Sequence, residues 1–246
     1  MSIRSLATGP VDDVDRAAVL GELAERIRPT VLAAERTLAA PPPLRPLFPA
    51  GGPARGSVLA VEGRGATSTT LALVAAVTGT GSWAALVGVE AVGWSAAVRA
   101  GVALRRTVSI DAPPTSRWAT VVAALVETVD VVVVDPRHQV SPADARRLAA
   151  RCRERGAVLV RLVVPDGRPR YRWPTSADLT LACDATWSGL GEGSGVVDGA
   201  RLRVRADGRR TAPGAREVEV RLDAAGRLVG DEVPTSGGRG HLRRVV

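Results

Sequence analysis

The chain has 246 residues, 46% of them hydrophobic, 24% charged and 3% aromatic, which excludes a wholly disordered or fibrous protein and suits one domain of ordinary size with terminal additions. Its apolar runs stop well short of the ~20 residues that a membrane helix needs, and Asp12, Asp13 and Asp15 stand where a signal peptide would carry its apolar segment, so a cytoplasmic protein with no membrane contact is expected. All 33 basic residues are arginine, and the net charge of +8 is uneven: residues 1–50 and 51–136 each carry six Arg against six acids, whereas residues 137–246 carry 21 against 13.

In chain order, residues 11–39 read as a helix, with Val14, Ala17, Leu20, Ala24, Ile27 and Val31 near helical spacing and Pro29 bending it. Within a 1–40 helical segment this pattern ends at Pro41-Pro42-Pro43, and residues 41–55 read as a Pro/Gly linker. From Ser57 short apolar runs alternate with helical stretches. The runs are 57–61, 83–89, 107–110, 129–134 and 157–164; most are apolar throughout, as strands buried on both faces are. Between them lie helical stretches at 68–77, 94–100, 116–128 and 141–155. The last is signed at both ends, by Ser141 as N-cap, Pro142 in the first turn and Gly156 past the end. Such alternation predicts an α/β fold, a mostly parallel sheet flanked by helices. After Asp178 the helical signals stop, and 179–183, 201–205 and 217–222 read as shorter strands joined by Gly-rich turns, antiparallel additions at the C-terminal edge. A core over 56–228 is then followed by a mobile basic tail over 229–246.

The first buried strand runs into Gly63-Arg64-Gly65-Ala66-Thr67-Ser68-Thr69-Thr70 and then a helix. That is the setting in which backbone amides hold phosphate. The P-loop pattern G-x-x-x-x-G-K-[ST] keeps only its first and last positions here: Gly63 and Thr70 match, but Ser68 stands for the second glycine and Thr69 for the lysine. A lysine beside a phosphate contributes about 4 kcal/mol at an effective dielectric near 20, so tight ATP or magnesium binding is not expected and no cofactor is assigned. Asp135 ends the run Val131–Val134 as a magnesium-orienting acid would, but with the lysine gone it has little to coordinate and a cap on the Pro136 turn suits it better. Glu90 ends the second run, near the place of a water-activating glutamate.

Further on, Arg168-Pro169-Arg170-Tyr171-Arg172-Trp173 interleaves arginines with two of the seven aromatics. Three uses are open: arginines on phosphate with rings stacked on unpaired bases of single-stranded DNA; Tyr171 and Trp173 anchoring a loop whose arginines face water; or recognition of a protein partner, for which Arg, Trp and Tyr are common anchors. His138 and His241 are isolated and read as surface residues, Cys152 and Cys183 as free buried thiols, and no metal site is assigned. Ser188 and Ser194 have no histidine placed to activate them, so no hydrolase chemistry is assigned.

In order and spacing these parts resemble the RecA core, with the Walker A turn at Val58–Thr70, Walker B at Val129–Asp135, and the late strand pair 201–205 and 217–222. Two DNA-contacting loops of RecA are shorter here, at 136–140 and 164–177. With its degenerate Walker A turn, its Arg-rich last third and segments such as Trp83–Gly88, Arg146–Arg151 and Trp187–Gly191, the chain is similar to the actinobacterial ImuA-type proteins. The resemblance implies a non-catalytic accessory of the SOS-induced translesion-synthesis mutasome, a response to DNA damage. In that role it would join a Y-family-polymerase-like adaptor and an error-prone replicative polymerase. RecA docks a leading helical segment on a neighbouring subunit, which would give residues 11–39 a role in self-association. The other reading is a weak nucleotide- and single-stranded-DNA-binding modulator of recombination.

Overall fold

The computed structural model describes residues 36–90, 92–167, 171–191, 194–208 and 216–230. The elements are a 3-10 turn (Pro42–Leu47), β1 (Val58–Gly63), α1 (Ala66–Gly79), β2 (Ala84–Val87), α2 (Trp94–Arg99), a second 3-10 turn (Leu104–Arg106), β3 (Thr107–Ile110) and α3 (Thr115–Val126). There follow β4 (Val131–Val134), α4 (Pro142–Arg155), β5 (Val158–Val163), β6 (Leu179–Gly191), β7 (Ser194–Gly208), β8 (Arg216–Leu222) and β9 (Leu228–Gly230). One nine-stranded sheet has the order β3-β2-β4-β5-β1-β6-β7-β8-β9. Pairs from β3 to β6 are parallel and those from β6 to β9 antiparallel. The architecture is therefore the α/β one expected, a mostly parallel sheet with helices and an antiparallel C-terminal edge.

Continuous apolar runs lie at the centre because both sheet faces are covered there. β2 and β4 are buried at every position, whereas the edge strand β3 is buried at none. Each valine of β4 thus contributes roughly 1.5–3 kcal/mol relative to exposure. On one face Leu59, Val61, Leu86, Val133, Leu181, Leu202, Val204 and Val220 pack with α1, with Ala97 of α2, and with Leu44, Leu47 and Phe48. On the other, Val58, Val132, Val134 and Leu159 pack with Trp118 and Val122 of α3 and with Ala145, Leu148 and Cys152 of α4. α4 closes as its sequence predicts: the Ser141 hydroxyl accepts from the Asp144 N–H at 3.0 Å, and Gly156 takes a left-handed φ of 72°.

Three expectations change. The stretch 41–55 is not a free linker, for Leu44 and Leu47 are fully buried and their spacing sets both on one side of a 3-10 turn. β6 is longer than predicted and pairs parallel with β1, so only β7, β8 and β9 are antiparallel additions. The Gly-rich sequence around Ser188 continues a long β6–β7 hairpin, with a register shift between Ser188 and Leu190, instead of forming a turn. Of the helix expected over 11–39, all but the last four residues lie outside the described residues. Thr37 bridges antiparallel to Ala54, and the Leu38 N–H donates to the Pro53 carbonyl at 2.8 Å. The tail beyond residue 230 also lies outside them.

Candidate functional site

β1 delivers the turn to the middle of the sheet, between β5 and β6, with the end of β4 one strand beyond β5. A nucleotide loop would need several free amides here. Instead β1 ends at Gly63 and α1 begins at Ala66, so only Arg64 and Gly65 lie between them, and Ser68, Thr69 and Thr70 belong to the helix. The Thr69 N–H is spent on the Gly65 carbonyl at 2.9 Å, an ordinary helical bond.

Both turn glycines are explained by packing. A Cβ on Gly63 would stand 2.2 Å from the Cys183 carbonyl oxygen, and one on Gly65 would stand 2.5 Å from Leu202 Cδ1; both φ angles are near +95°. These positions need glycine because β6 and β7 lie against the turn, with no phosphate required to explain them.

At the lysine position, Thr69 is fully buried, and its hydroxyl donates to the Gly65 carbonyl at 3.0 Å and meets the Cys183 thiol at 3.3 Å. Burial pushes that thiol up to about 11. Thr70 is buried too, and its hydroxyl has no hydrogen-bond partner among the described residues. The guanidinium of Arg64 turns away, to Asp184 of β6 at 2.8 Å.

Asp135 is only 5% exposed, and its carboxylate is met by the Arg137 guanidinium at 2.7 Å. Arg137 also reaches Asp166, beyond β5, at 3.0 Å. A guanidinium thus supplies the positive charge at the acid that ends β4, and binds together the connections after β4 and β5. Arg137 was the residue that sequence reading missed; the signal was an arginine two positions past an acid that ends a buried strand. Glu90 lies exposed in the turn after β2, three residues beyond its end. The turn, the buried Thr69 and the arginine-paired Asp135 do not fit a magnesium nucleotide.

The aromatic segment divides. Arg168 and Arg170 lie outside the described residues. Tyr171 is 49% exposed and Arg172 is exposed, whereas Trp173 is 6% exposed, packed edge-on to Trp118 at 6.2 Å, with its indole N–H donating to Thr175 Oγ1 at 3.1 Å. Trp173 is therefore a loop anchor and cannot stack on a base. His138, expected at the surface, is half-buried against Trp118 at 5.2 Å, where desolvation lowers its pKa. The Gln139 side-chain amide donates to the Arg172 carbonyl at 3.1 Å and ties the two loops. Among the described residues no His, Cys, Asp or Glu cluster is arranged to hold a metal, and no helix is long and apolar enough to cross a membrane. A cavity of about 310 Å³, walled by Phe48, Pro53, Leu59 and Leu179, lies at the opposite, N-terminal end of β1 and β6.

Residues 46–175 match the protein family described as the MT3502 N-terminal domain. The chain is also 33% identical over 175 residues to the uncharacterized protein Rv3395c of Mycobacterium tuberculosis, a match that covers 65% of this chain and 84% of that protein.

Proposed function

Because the chain belongs to the family of the MT3502 N-terminal domain, we propose a function common to its sequence resemblances and its own geometry. It is a non-catalytic, RecA-fold accessory protein of the SOS-induced translesion-synthesis mutasome. There it holds a Y-family-polymerase-like adaptor beside an error-prone replicative polymerase, in the cytoplasm. The observation that carries this reading is twofold, the Asp135–Arg137 pair after β4 and the buried Thr69 at the lysine position: a frame of nucleotide-binding type has its charge and space taken by its own side chains. A frame closed in this way retains its surfaces, and surfaces recruit proteins. Fold alone does not assign activity, so the ImuA-type assignment rests on the motifs resembling that group.

The test is reconstitution with purified full-length components. The adaptor is expected to co-elute with the chain in the absence of nucleotide, and adding ATP is expected to leave the complex unchanged. An adaptor that never associates removes the mutasome reading. The second reading, a weak nucleotide- and single-stranded-DNA-binding modulator, is favoured by the exposed Tyr171 and Arg172 and by the unpartnered Thr70 hydroxyl. It predicts oligonucleotide binding that weakens steeply with salt and is lost on Arg172→Ala.

A further inference from the structure

Five of the large apolar side chains that stand exposed, Trp83, Trp94, Val98, Leu104 and Val108, lie within residues 83–108. They belong to one margin of the molecule: Trp83 leads into β2, Val98 is on α2, Leu104 is in the 3-10 turn that feeds β3, and Val108 is on β3 itself. Among the described residues β3 is the outermost strand and pairs only with β2. The Ile110 carbonyl accepts from the Gly88 N–H at 2.9 Å, which points Ile110 inward and turns the backbone N–H and carbonyl of its neighbour Ser109 outward, where no strand follows among the described residues. Val108 and Ile110 share the face covered by α3, while α2, which carries Val98, packs through Ala97 on the other. An added strand would therefore meet apolar groups on both of its faces.

The charge is segregated along the chain. Arg99, Arg105 and Arg106 precede β3, whereas the acids Glu90 and Asp111 follow the C-terminal ends of β2 and β3. Arg99 and Arg105 are exposed, and the Arg106 guanidinium lies over the Trp83 ring at 5.8 Å. Open strand edges pair with other chains unless blunted, and strand addition takes its affinity from backbone bonds and its specificity from alternate side chains.

We propose that the β3 edge is a docking site for an extended segment of a partner protein in which apolar residues alternate with carboxylates. The segment adds as a strand outside β3, sets its apolar residues against Val98, Leu104 and Val108, and offers its acids to Arg99 and Arg105. The inference rests on the scaffold reading only in naming the adaptor as the carrier of that segment. The chain's own residues 11–25 have matching charge, five acids against one arginine, but their apolar spacing is helical and does not offer the alternation of a strand.

The probe is a fluorescein-labelled peptide of alternating Glu and Val, with a Lys–Val peptide as its charge-reversed control, read by anisotropy against the full chain. Two variants are compared. Arg99→Glu with Arg105→Glu reverses the charge at exposed sites without touching the core, and Ser109→Pro deletes the outward N–H. Arg201→Glu with Arg203→Glu on β7 is the remote control. Binding of the Glu–Val peptide is expected to weaken about tenfold or more in both edge variants and to stay unchanged in the control. The adaptor is expected to follow the same pattern, and the Lys–Val peptide not to bind. Equal binding of the Glu–Val peptide to wild type and edge variants, or none to wild type, overturns the proposal, as does adaptor binding indifferent to the edge variants. If the adaptor fails to bind wild type while the peptide behaves as expected, the scaffold reading fails and the edge site stands. Self-association abolished both by the edge variants and by joint Asp12→Asn, Asp13→Asn and Asp15→Asn changes would assign the edge to a second copy and overturn the partner assignment.

Discussion

The turn after β1 and the edge at β3 keep opposite accounts of their polar and apolar groups. At the turn, the Thr69 hydroxyl and N–H are both bonded, two glycines sit tight against β6 and β7, and the acid that ends β4 is held by Arg137. At the edge, Ser109 offers backbone groups outward, Val98, Leu104 and Val108 stand in water, and Arg99 and Arg105 are exposed. A ligand site needs groups left ready for the ligand, and the place where a nucleotide would be expected has few. The difference teaches that polar groups paired inside the fold leave little for a ligand, whereas an edge strand keeps outward backbone groups to offer.

Restoring the missing lysine breaks the comparison most severely. Thr69→Lys would bury an ammonium at a position with no exposure, beside a thiol and a carbonyl. We expect a loss of roughly 4 kcal/mol or more by chemical denaturation, without any gain of ATP binding. A stable variant that binds ATP would show that the turn opens.

Trp173→Ala separates loop anchor from base stacker. Its ring is buried against Trp118, so about 3 kcal/mol of stability should be lost. Tyr171→Ala, at an exposed ring, should stay within about 0.5 kcal/mol of wild type in the same denaturation experiment.

Arg137→Ala leaves the buried Asp135 carboxylate without its cation, and about 3 kcal/mol is expected to go. Adding Asp135→Asn to that variant should recover part of the loss, because the uncompensated charge is then gone. No recovery in the double variant would mean that Arg137 acts through Asp166 instead.

Below pH 9 the effect of the thiols on stability is the smallest of these, and it emerges only at alkaline pH. Burial pushes Cys183 up to about 11 and Cys152 to about 12, against an ordinary value of 9.0. Between pH 9 and those values the unfolded chain has lost protons that the folded chain keeps, so stability should fall as pH rises through this window, and is complete below it. At pH near 8 both thiols should resist a thiol reagent until denaturant is added; rapid labelling of the native protein would contradict their burial.

Much of the frame was legible because its signals are local. Ser141, Pro142 and Gly156 bound α4 by capping chemistry, and the valines of β4 require two covered faces. Alternation of Arg201, Leu202, Arg203, Val204, Arg205 and Ala206 shows a half-buried strand directly. What stayed hidden depended on neighbours distant in sequence. Gly63 and Gly65 look like a phosphate motif until Cys183 and Leu202 are seen against them. Proline around Leu44 and Leu47 suggested a linker, whereas their spacing, together with Phe48, gave the truer signal of a packed turn. The role of Arg137 needs Asp135 and Asp166 together, 31 residues apart in the chain.

Titration calorimetry of the full chain with Mg·ATP, with and without single-stranded DNA, tests the closed turn most directly. We predict no heat of binding at concentrations up to about 1 mM, and no phosphate release on adding DNA. Micromolar binding that disappears in Thr70→Ala or Asp135→Asn would mean that Arg137 yields its place to a metal and the turn opens to triphosphate, and the scaffold account would be wrong.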